Sequence, residues 1–285
     1  MRFALTGGDR TLGVFEALVQ AGWQPVKLFS TPPANQVESN SAIVAYAQQH
    51  DAAIQLSRMT ERDIADLGER GCEVLIVASY TWRIGNWQPY LKYAVNFHPS
   101  PLPLGRGPYP LPRAIQEQRD TWGVTCHRLA FEMDAGDILA VEEFPLQDDE
   151  CHESLHLKVQ MASRRLAGRL AGRFPQLWDE ARPQGQGSYW PLNTPGDHCF
   201  DFNLPVESIK RHIRAFGATE SLTRIGGAWI AVRRAAGWPE RHGQAPGTVL
   251  HAYGRYLVVA AQDGCIALLD WEAVRPDLAK MLNGL

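Results

Sequence analysis

The run Glu73-Val74-Leu75-Ile76-Val77-Ala78 constrains this chain more than any other stretch. Its β-branched and apolar residues do not alternate with polar ones, so a strand built from it must be covered on both faces. Such strands belong to parallel sheets, and parallel strands need crossover connections, usually helical. The surrounding sequence supplies them. Arg2 to Thr6 reads as a short strand, followed by a turn at Gly7-Gly8. Thr11 to Ala21 then places Leu12, Phe15, Leu18 and Val19 at helical spacing, with Gly22 as a stop. Pro25 to Ser30 reads as a second strand. Ser41 to His50 reads as a helix with Ile43, Val44 and Ala47 on one face, and Glu61 to Arg70 as another just before the apolar run. This alternation defines an α/β fold with an open, mostly parallel, Rossmann-like sheet, whose ligands bind beyond the carboxyl ends of the strands.

Further along, Ala94 to His98 is a short strand ending in polar residues, and the proline- and glycine-rich loop Pro99 to Pro112 follows it. Gly123 to Leu129 and Ile138 to Phe144 read as strands. Ser154 to Phe174 reads as one long helix with Leu155, Val159, Leu166 and Leu170 on its apolar side. The composition changes at Pro183-Gln184-Gly185-Gln186-Gly187-Ser188, polar and glycine-rich in the manner of a linker. The expected organisation is therefore a larger domain over residues 1–182, a linker over 183–200 and a small domain over 201–285. That last part has one helix, Pro205 to Phe216, and short segments broken by glycine: Ala228 to Arg233, Gly247 to Ala252, Tyr256 to Ala261 and Cys265 to Asp270. They predict a small antiparallel, OB-like barrel or sheet.

With 28 Lys and Arg against 31 Asp and Glu, the formal charge is -3, and bulk electrostatics point to neither a nucleic acid nor a membrane. Five scattered cysteines (Cys72, Cys126, Cys151, Cys199, Cys265) form no CxxC pair and no zinc-spaced cluster, so neither a disulfide framework nor a metal site is expected. Met1-Arg2-Phe3-Ala4-Leu5-Thr6 enters a strand with no signal-peptide core, and no apolar run approaches the roughly 20 residues of a bilayer span. The expected address is a reducing cytoplasm.

Gly7-Gly8-Asp9 with Gly13 departs from the spacing of a dinucleotide loop and reads as a tight strand-to-helix turn. The informative stretch is Asn96-Phe97-His98-Pro99-Ser100-Pro101-Leu102-Pro103, then Arg106-Gly107, and later Met133-Asp134-Ala135-Gly136-Asp137. In a strand, Asn96 and His98 are two apart and share a face, so an amide and an imidazole converge at the strand's end. Asp134 precedes a small-residue turn that lets backbone come close to a ligand. An Asp beside a His fixes its tautomer and raises its pKa, the usual preparation of an acid/base. Spacing alone leaves two readings open, an acid/base trio or a polar turn. His152 and His156 are four apart, as metal ligands on a helix are, but without a third ligand they read as an exposed helix start. Arg165, Arg169 and Arg173 form a stripe that reads as a solvated helix face in preference to a phosphate site.

The segments N-F-H-P-S-P-L-P with R-G, then G-V-T-C-H, then M-D-A-G-D-I-L resemble, in order and spacing, the signature of the 10-formyltetrahydrofolate-dependent formyltransferases. The resemblance covers the first ~180 residues, the size of one domain. A looser one, from Asp201-Phe202-Asn203-Leu204-Pro205 through Ile213-Arg214-Ala215-Phe216 to Pro246-Gly247-Thr248-Val249-Leu250, is to the C-terminal domain of methionyl-tRNA formyltransferases. The family resemblance implies that Asn96, His98 and Asp134 are catalytic, with Asp134 preferred over Asp137 because it directly precedes Ala135-Gly136. It implies that 10-formyltetrahydrofolate is the formyl donor, that no metal is required, and that Trp82, Arg83 and Ile84 line the pterin with Glu132 and Met133 opposite.

The acceptor follows from what this sequence lacks. In the family a basic insertion after the second strand grips tRNA, and phosphate contacts dominate such binding. Here Ser30 to Ser39 contains no Lys or Arg, and Trp271 to Pro276 has no paired lysines. The expected acceptor is therefore a small-molecule amine, such as an amino sugar, an amino acid or a natural-product intermediate. Methionyl-tRNA is the alternative, followed by water (a formyltetrahydrofolate hydrolase) or simple folate binding. A homodimer is compatible with all of these.

Overall fold

The computed structural model describes residues 1–31 and 39–283. Most of the Ser30 to Ser39 stretch read above for basic residues thus lies outside the described residues. The first strands and helices run β1 (Arg2–Thr6), α1 (Leu12–Gln20), β2 (Gln24–Phe29), α2 (Ser41–Gln49), β3 (Ala53–Gln55), α3 (Glu61–Glu69), β4 (Val74–Val77) and β5 (Tyr93–His98). They continue through α4 (Leu111–Gln116), β6 (Thr121–Arg128), β7 (Ile138–Pro145), α5 (His152–Ala171) and α6 (Phe174–Asp179). After these come α7 (Val206–Phe216), β8 (Ser221–Ile225), β9 (Ala228–Pro239), β10 (Val249–Tyr253), β11 (Tyr256–Ala260), β12 (Gly264–Ala273) and α8 (Pro276–Leu282).

Seven strands form one sheet in the order β3-β2-β1-β4-β5-β6-β7. The pairs from β3 to β5 are parallel and the last two are antiparallel, as the α/β pattern predicts. Every residue of β4 is buried, which is why its sequence could dispense with alternation. Two of the helices have side chains that satisfy amides of their first turn. Thr60 and Asp63 make a reciprocal capping box on α3, and Asp9 Oδ1 accepts the Ile43 amide in the first turn of α2 at 2.8 Å. The Gly7-Gly8-Asp9 segment is thus the expected strand-to-helix turn, with its carboxylate used as a cap.

The chain divides into two compact units. One comprises Met1–Gly107, Thr121–Pro145 and Leu157–Trp190, and carries the seven-stranded sheet. The other comprises Pro108–Asp120, Leu146–His156 and Pro191–Leu285. Its five strands form an antiparallel sheet in the order β10-β11-β12-β9-β8. α7 lays Val206, Ile209 and Ile213, at helical spacing, into a core with Phe200, Phe202, Val232 and Leu268.

Several sequence expectations need correction. The helix expected over Ser154 to Phe174 is two helices, because Gly172 and Arg173 leave the helical path and Pro175 occupies the first turn of α6. The loop Pro99 to Pro112 gives way to a helix at Leu111. β3, β8 and α8 are additional elements. His152 is not an exposed helix start. It is buried, its imidazole bonded to the Tyr109 hydroxyl and its ring tilted against His156. The arginine stripe, by contrast, is the exposed face that the sequence predicts, and its charges are engaged with protein: Arg165 and Arg169 both reach the Glu142 carboxylate, at 2.7 and 2.8 Å, and Arg173 donates to Gln176.

Candidate active site

The polar end of β5 lies against β6, and the antiparallel register sets Asn96 opposite His127 and His98 opposite Thr125. Cross-strand partners share a face, so four polar side chains meet at the carboxyl end of a buried strand. Thr125 anchors the turn that follows His98, since its hydroxyl donates to Ser100 O at 2.7 Å and accepts the Leu102 amide at 3.0 Å. His98 is buried, while Asn96 stays half-exposed.

The fifth group arrives from the turn after β6. Asp134 is buried and its backbone is left-handed, with φ 55°. Asp tolerates that region better than most residues, yet the conformation costs of order 1–3 kcal/mol and persists only where surroundings hold it. One carboxylate oxygen, Oδ2, accepts the Gly107 amide at 2.9 Å. On the other, Oδ1, three side chains converge: Asn96 Nδ2 at 3.1 Å, His98 Nδ1 at 3.5 Å and His127 Nε2 at 3.7 Å. Asn96 Nδ2 also lies 3.1 Å from His127 Nε2. A carboxylate only accepts, so the Asn96 amide must turn its NH2 toward Asp134, giving one hydrogen to Oδ1 and the other to His127.

His98 Nε2 lies 2.8 Å from Gly105 O, which also only accepts, so that nitrogen carries a hydrogen. Neutral His98 then faces Asp134 with a bare Nδ1, and only the protonated ring bonds both neighbours. Burial opposes protonation. It pushes the His98 pKa below its ordinary value, the Asp134 charge and Gly105 carbonyl pull it back up, and His127 lowers it further. The expected upward shift is therefore reversed by the depth at which the ring sits. For Asp134 burial acts upward, but His127, the His98 charge and the Gly107 amide outweigh it and hold the carboxyl below its usual range. His127 carries its hydrogen on the Nδ1 that faces Arg128 O, so that its Nε2 accepts from Asn96. With His98 also neutral, both contributions fall away, and the Gly107 and Asn96 hydrogen bonds keep the carboxylate ionised.

The structure thus brings Asn96, His98 and Asp134 together and leaves Asp137 outside, paired with Arg128 at 3.1 Å. His127 completes the cluster. The segment G-V-T-C-H contains it, and the signal that identifies it is the two-residue step from Thr125 on a strand pairing with β5. Among the described residues no group of three His, Cys, Asp or Glu side chains could hold a metal ion.

Beside the cluster, two loops carry the residues expected at the pterin. Trp82 is half-buried with its edge against Tyr80, whose hydroxyl accepts the Met59 amide at 2.6 Å. Ile84 packs on the hydrophobic core with Tyr80. Arg83 crosses to the other loop, donating to Phe131 O at 2.6 Å with its guanidinium 4.1 Å from the centre of the Phe131 ring. There Glu132 is exposed, Met133 is 55% exposed and Phe131, which sequence reasoning passed over, is 88% exposed. Phe131 and Met133 are thus large apolar side chains held in water, close in the chain to Asp134.

Comparison with known proteins gives this arrangement its class. The formyl transferase family model matches residues 17–167, and the model of the formyl transferase C-terminal domain matches residues 193–283. The chain belongs to the formyl transferase family. It is 28% identical over 268 residues to the methionyl-tRNA formyltransferase of Thiobacillus denitrificans, covering 90% of this chain and 87% of that protein. An N-formyltransferase from Helicobacter canadensis, solved with folinic acid and dTDP-3-aminofucose, has the same fold at TM-score 0.69 and 15% identity, over 95% of this chain and 99% of that one. HypX from Aquifex aeolicus superposes at TM-score 0.71 and 18% identity over 96% of this chain, which spans 45% of HypX. Among the described residues no helix is long and apolar enough to cross a membrane.

Proposed function

We propose that this protein transfers the formyl group of 10-formyltetrahydrofolate to a primary amine of a small molecule, through Asn96, His98 and Asp134. The observation that carries the reading is the convergence of Asn96 and His98 on one buried Asp134 oxygen at the end of β5. The surface of Trp82, Arg83, Phe131 and Met133 fits a flat, partly apolar ring, and Glu132 offers a carboxylate to its amino groups. Bound there, the folate supplies an activated formyl carbon.

The residues act around that carbon. As an amine attacks, negative charge develops on the formyl oxygen, and a donor placed for it contributes about 3 kcal/mol. Asn96 is that donor, exchanging the hydrogen held by His127 for the substrate oxygen while Asp134 keeps the amide turned the right way. His98 Nε2 stays bonded to Gly105 O, so the ring acts through its bare Nδ1, which takes up a proton handed over by Asp134. Burial keeps the ring neutral at rest, and protonation is stabilised only next to the carboxylate. Asp134 removes the amine's proton directly or through water, and that proton, passed by way of His98, goes to the folate nitrogen as its bond to the formyl carbon breaks.

The acceptor reading rests on charge. The formal charge is -3, and Arg165 and Arg169 already share Glu142. Phosphate-rich acceptors need free cations. Methionyl-tRNA is the second reading, supported by what the curated relatives are called. The five cysteines are free thiols, which supports the reducing, cytoplasmic address. The test follows tetrahydrofolate release from 10-formyltetrahydrofolate with a panel of small amines, amino sugars included, and with charged initiator tRNA over a salt series. Turnover with a small amine and none with tRNA is expected. Efficient tRNA formylation that collapses as salt rises would reverse the two readings, and amine-independent release would make the protein a hydrolase.

The donor surface gives a separate prediction. Trp82→Ala raises the Michaelis constant for 10-formyltetrahydrofolate with little change in kcat, because Trp82 belongs to the proposed donor surface and is not one of the trio. An unchanged donor constant in steady-state kinetics would return Trp82 to a packing role.

A further inference from the structure

The polar stretch beginning at Pro183 has the composition of a linker, yet its side chains and backbone are bonded to both arms of the active site. Gln184 Nε2 donates to Asp134 O and to Gly136 O, each at 2.7 Å. A single amide therefore spans the turn whose first residue is in the left-handed conformation. Gln184 Oε1 accepts from Arg106 Nε at 3.0 Å, and a second Arg106 nitrogen donates to Gly185 O at 3.2 Å. From the other side, the Gly105 amide donates to Ser188 Oγ and the Arg106 amide to Ser188 O, both at 2.9 Å, and the Trp190 amide donates to Arg106 O at 2.7 Å.

Residues 105–107 are the ones that hold the cluster, through Gly105 O on His98 and the Gly107 amide on Asp134. The contact is close enough that a Cβ on Gly187 would stand 2.2 Å from Pro103 O. Two carbonyls require two N–H donors, and the Arg106 N–H requires an acceptor. Only a side-chain amide offers all three, and glutamine has one more carbon of reach than asparagine. Gln184 touches no reacting atom. It ties the peptide of Asp134 to the loop that orients His98.

We propose that Gln184, oriented by Arg106, is a positioning residue for the Asn96-His98-Asp134 cluster, setting the register between the Asp134 turn and the 105–107 loop. The kinetic arm of the test rests on the formyl-transfer reading, and the spectroscopic arm does not. Gln184→Met keeps the length of the side chain and removes its polar groups; Gln184→Ala removes both. Gln184 is half-exposed, and Gln186→Ala, on an exposed neighbour, is the control.

The charged and titratable groups facing His98 are Asp134 from the turn and His127 from β6. A turn released from Gln184 draws the Asp134 carboxylate off His98, so the imidazole titrates at lower pH in the ligand-free protein by NMR. With substrates, kcat falls on the order of 10- to 100-fold, the scale of an ångström of misplacement. In an Asp134→Ala background the same substitution has no further effect, because the group it positions is gone. If Gln184→Ala does not fold, Gln184→Met decides. A His98 titration in the Gln184 variants that matches wild type overturns the proposal, whatever the kinetics show. Should wild-type protein formylate no amine, the functional reading falls, and a downward-shifted His98 titration still establishes the positioning role.

Discussion

Asp134→Ala lowers turnover by about 100-fold or more while leaving a folded protein, the loss expected when an oxyanion donor and its orienting partner are disabled together. Its Oδ1 is the oxygen against which Asn96 turns its amide and His98 presents Nδ1. Without it, nothing dictates which end of the Asn96 amide faces the substrate, and protonated His98 has no counter-charge to set against burial. Asn96→Ala and His98→Ala each cost a similar factor. The losses do not sum, since each variant removes a part without which the other two are misdirected. The measurement is turnover for the three single variants and the triple, with circular dichroism to confirm the fold. Near-normal turnover in His98→Ala or Asp134→Ala would remove the central assignment, and strictly multiplicative losses would show three independent contributions in place of a unit.

What could be read from the sequence follows the range of the signal. β1, α1, α2, α3 and β4 are visible because their pattern is set by the core each must face, and Val74 to Val77 are continuous because both faces are covered. The convergence of Asn96 and His98 is visible because strand geometry alone puts them on one face. His127 lies in the G-V-T-C-H segment, two residues on from Thr125, but its place in the cluster depends on which strand lies beside β5 and in what register, and the segment alone does not encode that. Gln184 is hidden for a different reason. A solvated linker and a strap that hydrogen-bonds to loops use the same polar, glycine-rich vocabulary, and only the partners of its amide tell them apart. The sign of the His98 shift escapes the sequence because the neighbouring Asp is legible and the burial is not. His152 fails similarly: helical spacing places it beside His156, but the Tyr109 hydroxyl that accompanies it inside comes from a distant segment.

The same dependence on distant backbone makes Gly136→Ala a severely damaging single-methyl change near the site. A Cβ there would lie 1.9 Å from Arg128 O and 2.8 Å from its carbonyl carbon, and the obstacle is backbone that no rotamer change relieves. Arg128 O is also the atom 2.8 Å from His127 Nδ1, and the Arg128 amide is bonded to Asp137 O at 2.8 Å. The turn therefore cannot move outward without breaking the end of β6, nor inward without displacing Asp134. Overpacking of this kind costs about 1–3 kcal/mol, and here the shift is also delivered to the carboxylate that orients the trio. The expected result is a thermal midpoint lowered by several degrees, about 2–4 °C per kcal/mol for a domain of this size, with turnover reduced about 100-fold or more. Gly168→Ala is the comparison, because nothing lies within 4 Å of a Cβ at that helical position and alanine favours the helix. Its midpoint should hold or rise and its turnover should not change. A Gly136→Ala protein with wild-type turnover would mean that the Asp134 turn has room the structure does not show, and that the trio does not depend on its placement.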